Sequence, residues 1–477
     1  FFITPKPAYH IPLSLVGSEM CIRDSYNSCW LDNSLSADRP LASQFWEVGY
    51  SVLGQTLAQK IIAKACNKDY VVPGEIEVAK IDLAMIHDSG GPRRVKPILD
   101  HLGVGVWSSK KIVVVSDHYV PEFNPETKAI QKLTRDWVKS NNIKAFYDQM
   151  GICHVVVPEN GHLRPGMFVV GGDSHSPTGG AFGAYMFGIG ATEMAGVLAT
   201  GEIWIKVPET IKINWSGQLN EFVTAKDMML YTCGRLGMDG GKYQAIEYTG
   251  SAISSLSMQE RMTVSNMTAE LGGQAGLIKP DIITKKYLEN VGIPNIETEF
   301  WESDVDADFL ESFTFPANEL VPQIAAPHSP ANSRNITEEK KIAVDVAYIG
   351  ACTGAKMSDL RMAANILKGK ELASGVRLLV APASKKDQNS AKDEGIMKVF
   401  EDAGATILPN SCGICAGYGS ERLAEDVICI SSTARNFQGR MGALSSGVYL
   451  GSPYTVAASA ITGCITDPRH FIEGNHE

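Results

Sequence analysis

Short apolar runs that stop abruptly in polar, glycine- or serine-rich turns recur along this chain. Lys110–Val115 (KKIVVV) runs into Ser116, Asp117 and His118, and Met167–Val170 into Gly171, Gly172, Asp173, Ser174 and His175. Val344–Ile349 leads to Gly350, Ala351, Cys352, Thr353 and Gly354. Thr406–Leu408 precedes Asn410, Ser411, Cys412 and Cys415, and Asp426–Ile430 precedes Ser431, Ser432, Thr433 and Arg435. Apolar runs without alternation are what parallel strands buried on both faces look like. Helical patterns between them, such as Lys226–Leu236 and Ser358–Leu367, suit crossover connections, and Thr224 with Asp227 predicts a capping box. The expected fold class is α/β with mainly parallel sheets, and chemistry at the carboxyl ends of the strands.

Two composition shifts suggest boundaries. Pro316–Asn335 is rich in Pro, Ser and Asn and reads as a linker; near Pro208 a glycine-rich region gives way to the alternating run Ile211–Trp215. The expected domains are therefore 26–207, 208–343 and 344–477. Residues 1–25 are set apart: the chain begins with Phe, and LVGSEMCIRDS at 15–25 reads as a non-native or disordered extension.

With 477 residues, 44% of them hydrophobic, the chain is long enough for several cores and too apolar for a disordered protein. A net charge of −10 without a Lys/Arg cluster argues against a nucleic-acid partner. No run reaches the roughly 18 apolar residues of a membrane span. Ten cysteines in such a length are far from disulfide-scaffold density, and no signal peptide is legible. A cytoplasmic protein with reduced thiols is expected, so a close cysteine pair reads as metal, cluster or redox chemistry.

That pair is Cys412-Gly-Ile-Cys415. Alone it fits a redox dithiol, half a zinc site, cluster ligands or coincidence. Gly413, Gly417 and Gly419 keep the region loop-like, and no second CxxC or His pair follows to complete a zinc site. Cys352, in another strand-end turn, is the best third donor. Three thiolates could hold an iron–sulfur cubane with one iron open as a Lewis acid.

Asp117-His118 and Asp173-Ser174-His175 form a second constellation. A lone histidine is usually a hydrogen-bonded structural residue, but two Asp/His clusters directly after strands suggest acid–base units. His154 and Glu159 add a third group. Asn266 and Glu270, at i and i+4, share a helical face, and that spacing alone describes an ordinary solvated pair. Arg435 and Arg440 put two guanidinium groups beside a strand end, suited to carboxylates. Together the inventory suits dehydration or hydration of a hydroxy di- or tricarboxylic acid.

These motifs resemble the aconitase superfamily, within it the large subunits of isopropylmalate isomerase (3-isopropylmalate dehydratase). The resemblance rests on Gly172–His175 with Ala181–Glu193, Met262–Glu270, Ile349–Thr353, Ser411–Cys415 and Arg435–Arg440, and covers about residues 75–477. It implies three α/β/α domains around a [4Fe–4S] cluster ligated by Cys352, Cys412 and Cys415. It assigns acid–base and hydroxyl-handling work to Asp117, His118, His154, Asp173, His175 and Glu270. Ser174 and Asn266 become polar supports, Arg435 and Arg440 carboxylate-binding arginines, and His87 a substrate neighbour. It further implies a hydroxy-carboxylate substrate and a partner: the swivelling domain that carries the family's catalytic serine is expected on a separate small subunit. Gly354 and Ala434 stand where relatives commonly carry Asn, which leaves open another substituted malate (dimethylmalate, citramalate) or an aconitase or homoaconitase substrate. A non-catalytic, RNA-binding relative is disfavoured by the acidic charge and the retained Asp/His set.

Overall fold

The structure is a computed structural model and describes residues 54–338 and 341–471. The proposed extension at 1–25 lies outside the described residues.

Three parallel sheets carry one strand order. In the first, Leu83–His87, Ile112–Ser116, Ala145–Asp148, Phe168–Gly171 and Tyr185–Gly188 lie in the spatial order 3-2-1-4-5, all parallel. In the second, Thr210–Ser216, Ala245–Thr249, Ala275–Ile278 and Glu311–Pro316 lie 3-2-1-4, again all parallel. In the third, Val346–Ile349, Arg377–Val380, Thr406–Ile407, Ile428–Ser431 and Gly447–Leu450 repeat 3-2-1-4-5. In this order the sheet grows one way from its first strand and then the other. The crevice at the carboxyl end of that strand is where open parallel sheets hold ligands. His87 and Cys352 stand at or just beyond two such ends.

The segment read as a linker is partly structured. Gln323–Ala325 and Ser333–Asn335 are strands that add antiparallel to the edge of the third sheet. They escaped notice because three residues are too few to show a period. An antiparallel ribbon of Ile76–Lys80 and Glu202–Lys206 completes the strands.

The runs form strands for the reason anticipated: every residue of Ile112–Ser116 and of Val346–Ile349 is buried. One core lies between the first and third sheets, joining Met85, Val113 and Val169 to Ile349, Leu378 and Val380. The helix Ala225–Leu236 starts where the capping box sets it. Thr224 N–H donates to Asp227 Oδ2 at 2.8 Å, and Asp227 N–H returns to Thr224 Oγ1 at 3.4 Å.

Candidate active site

Strand ends of the first sheet supply an Asp/His network. Asp117 Oδ1 meets His118 Nδ1 at 2.6 Å, while its Oδ2 accepts the Cys153 N–H at 2.7 Å. Burial alone would lower the His118 pKa, but Asp117, with Asp88 and Asp173 behind it, raises it to about 10, so the ring is an imidazolium at neutral pH. His87 stacks on that ring with centroids 4.2 Å apart. Its Nδ1 accepts the N–H groups of Ser89 and Gly90 at 3.2 and 3.3 Å, which leaves Nε2 to donate to Gly172 O at 2.9 Å. Burial and the neighbouring imidazolium hold His87 neutral.

Asp173 is shared. Its Oδ1 lies 2.7 Å from His154 Nε2 and accepts the His175 N–H at 2.8 Å; its Oδ2 is 3.8 Å from both His87 Nε2 and His118 Nε2. Burial would push its carboxyl up, yet His154, His175 and His87 hold it well below the usual range.

The second sheet reaches in through a helix end rather than a strand end. Asn266 closes the α-helix Met258–Asn266, and the chain tightens into a 3-10 turn, Met267–Leu271, carrying Glu270. The solvated helical pair suggested by spacing is therefore two fully buried residues on different elements. Glu270 Oε1 takes His175 Nε2 at 3.0 Å and Arg435 Nε at 2.5 Å, and Arg435 Nη1 donates to Ser174 Oγ at 2.9 Å. Burial opposes ionisation of Glu270, but Arg435 and His175 outweigh it and take its pKa to about 2.

The third sheet brings thiols and cations. Cys412 N–H donates to Asp117 O at 2.8 Å, tying the cysteine loop to the first sheet. The Cys412 thiol hydrogen-bonds Cys415, and this bond, with Arg440, Arg435 and Lys226, lowers Cys415 to about 6 against the effect of burial. Asn266 Nδ2 donates to Cys352 Sγ at 3.2 Å and to Thr178 Oγ1 at 2.7 Å. Arg440, half-buried, lies beside Cys415 and Cys412 with its Nε buried and unpartnered; Asn266 Oδ1, Glu270 Oε2 and His154 Nδ1 are likewise buried without partners. Unpaired buried polar atoms are costly, so their concentration here points to a ligand that meets them.

All the residues singled out from the sequence meet here except Glu159. It sits at the far end of the helix Cys153–Glu159, where Oε1 accepts from Ser384 Oγ at 2.8 Å. Two residues went unnoticed. Asp88 accepts the N–H groups of His118 and Tyr119 at 3.0 and 2.8 Å and so fixes the Asp117–His118 turn. Its signal was present, since Leu83–His87 is another apolar run ending in polar residues. Lys226 reaches from the helix Ala225–Leu236 to Ser432 O at 2.9 Å and to Thr433 O. Gly354 has a steric explanation: a Cβ there would lie 2.1 Å from Ser432 Oγ, so no asparagine fits beside this serine. Ala434 is buried.

Doubly wound sheets around one Asp/His/Glu network, with arginines and thiols in contact with it, make the arrangement of an aconitase-type hydro-lyase. Comparison with known proteins agrees: the model of the aconitase family (aconitate hydratase) matches residues 60–342 and 336–463. The chain belongs to that family. It is 43% identical over 422 residues to the 3-isopropylmalate dehydratase large subunit 1 of Methanopyrus kandleri, covering 88% of this chain and 100% of that one. It is 42% identical to the 3-isopropylmalate dehydratase large subunit of Hydrogenobaculum sp., covering 87% and 98%. Among solved structures, aconitase X of Thermococcus kodakaraensis aligns with 80% of this chain and 88% of its own at 13% identity and a TM-score of 0.45. The protein is an enzyme, a hydro-lyase. Among the described residues no helix is long and apolar enough to cross a membrane.

Proposed function

We propose that this chain is the large subunit of a [4Fe–4S]-dependent hydro-lyase that reversibly dehydrates a substituted malate of the 3-isopropylmalate type. The observation that carries the reading is the meeting of the acid–base network with Cys352, Cys412 and Cys415. The donor set fits a cluster better than a single ion. A tetrahedral zinc, with Zn–S near 2.3 Å, would draw its sulfurs to within about 4 Å of one another. Among the described residues the groups with three candidate ligand atoms within 4.8 Å are His/Asp sets, and none contains the cysteines. Three thiolates without a fourth protein donor suit a cubane with one open iron, and Arg435, Arg440 and Lys226 suit its negative charge.

When bound there, a cluster with three thiolates supplies an iron free to polarise the substrate hydroxyl. The chain's own residues do the rest. The His118 imidazolium has a proton to give to the departing hydroxyl, and Asp117 holds its orientation. Asp173 keeps the His154, His175 and His118 nitrogens around one space. Arg435, steadied by Glu270 and Ser174, and Arg440 present guanidinium groups for the substrate carboxylates. No motif-matched base for the carbon-bound proton stands among the described residues. The similar proteins are named large subunits and are matched over 98–100% of their length, which supports a small subunit as the source of that base.

Iron and sulfide analysis of anaerobically purified protein tests the reading. The wild-type chain is expected to carry a cluster and Cys352→Ser to lose most of its iron. Equal iron in both would refute the assignment. Assays with isopropylmalate, citrate, homocitrate, citramalate and dimethylmalate then identify the substrate.

A further inference from the structure

Two lysines lie in the core beside the thiols, and they differ in one respect. Lys356, fully buried, is paired with Asp359 at 2.7 Å and donates to Cys352 O at 3.0 Å and Thr263 Oγ1 at 2.8 Å. Lys226, 2% exposed, donates to Ser432 O, Thr433 O and, at 3.4 Å, Thr353 Oγ1. Those acceptors are neutral. A buried ammonium with no carboxylate beside it is among the costliest groups a core can hold. The negative groups that act on Lys226 are Glu270, Cys415 and Cys352. Glu270 is already matched by Arg435 and His175. What remains to compensate the ammonium is negative charge on the thiolates and on whatever they bind.

The acceptors also have a pattern. Thr353 follows Cys352, while Ser432 and Thr433 lead into Arg435. One ammonium, on a helix that belongs to the second sheet, thus ties together two loops of the third. We propose that Lys226 is a positioning residue for the cluster: its charge offsets that of the thiolate-held core, and its hydrogen bonds set the Cys352 loop against the Arg435 loop. The proposal rests on the cluster reading above and extends it to a residue that ligates nothing.

Groups that orient and electrostatically support metal ligands typically change metal affinity 10–100-fold when replaced. Lys226→Gln keeps N–H donors and removes the charge; Lys226→Arg keeps both; Lys226→Met is the second neutral variant should glutamine not fold. Each is purified anaerobically beside the wild type. Iron and sulfide content, the rate of iron loss in air and the midpoint of cluster reduction are then measured. The neutral variant is expected to lose iron about 10–100-fold faster and to show a more negative midpoint, since an anionic centre is harder to reduce once a nearby cation is gone. Lys226→Arg should stay near wild type. A folded neutral variant with wild-type midpoint and iron retention overturns the proposal. A wild-type protein without iron overturns the cluster reading instead, so the two failures are told apart.

Discussion

Asp173 and His118 show how one carboxylate and one imidazole divide their work. Asp173 has four histidine contacts and stays ionised; His118 keeps its proton because Asp117 holds it at 2.6 Å. Replacing His118 with Asn should lower turnover about 10²–10⁴-fold, as for loss of a positioned proton donor, while iron content stays at the wild-type level. Steady-state kinetics with iron analysis on the same sample checks this, and near-normal turnover would return His118 to a structural role. Asp117-His118 and Asp173-Ser174-His175 were legible in the sequence because each group follows an apolar run, where parallel sheets place chemistry. Lys226 was not, for a physical reason. Lysine on a helix is nearly always solvated, and nothing in its neighbours announces that this one spans a core to reach Ser432 and Thr433.

At the scale of elements, strands buried on both faces could be read and the joins between elements could not. The change from α-helix to 3-10 turn at Asn266 leaves no mark on hydrophobic periodicity, so the burial of Glu270 was invisible. Glu159 misled for a related reason: its helix is only two turns long, yet His154 and Glu159 stand at opposite ends of it. At the Glu159 end, Asp387 caps a three-way junction. Gln259, from the second sheet's helix, donates to Asp387 Oδ1 at 3.2 Å, and Asp387 Oδ2 is buried without a partner. Burial, then repulsion from Asp387, raises Glu159 from an ordinary 4.5 to about 8, and burial raises Asp387 as well. Both folded-state values lie above the unfolded ones, so the native state binds more protons and stability declines as pH rises from about 4 toward 8. Asp387→Asn should flatten that decline and raise the melting temperature at pH 8 relative to wild type. Thermal unfolding of the metal-free protein across this range provides the check; an unchanged slope would mean that Asp387 contributes nothing to the decline.

Across the whole molecule, strand ends of the first and third sheets and a helix end from the second meet at a common space. Each supplies a different part: acid–base groups from the first, Asn266 and Glu270 from the second, thiols and arginines from the third. Among the described residues no motif-matched base serves the opposite face of the proposed substrate, so the isolated chain is expected to carry iron and hydrate almost nothing. Titrating in a small subunit of the isopropylmalate isomerase type should restore turnover to a stoichiometric plateau; full activity of the rigorously purified chain alone would require a base within it. The same layout has a bearing on biogenesis. Contacts within each sheet are local and form early, whereas the site draws on residues from 87 to 440, the most distant and entropically slowest contacts to make. On the cluster reading, a nascent chain halted before Cys412 would possess its Asp/His network and lack two of the three proposed cluster thiols, so cluster loading would wait until the Cys412–Cys415 loop has been made.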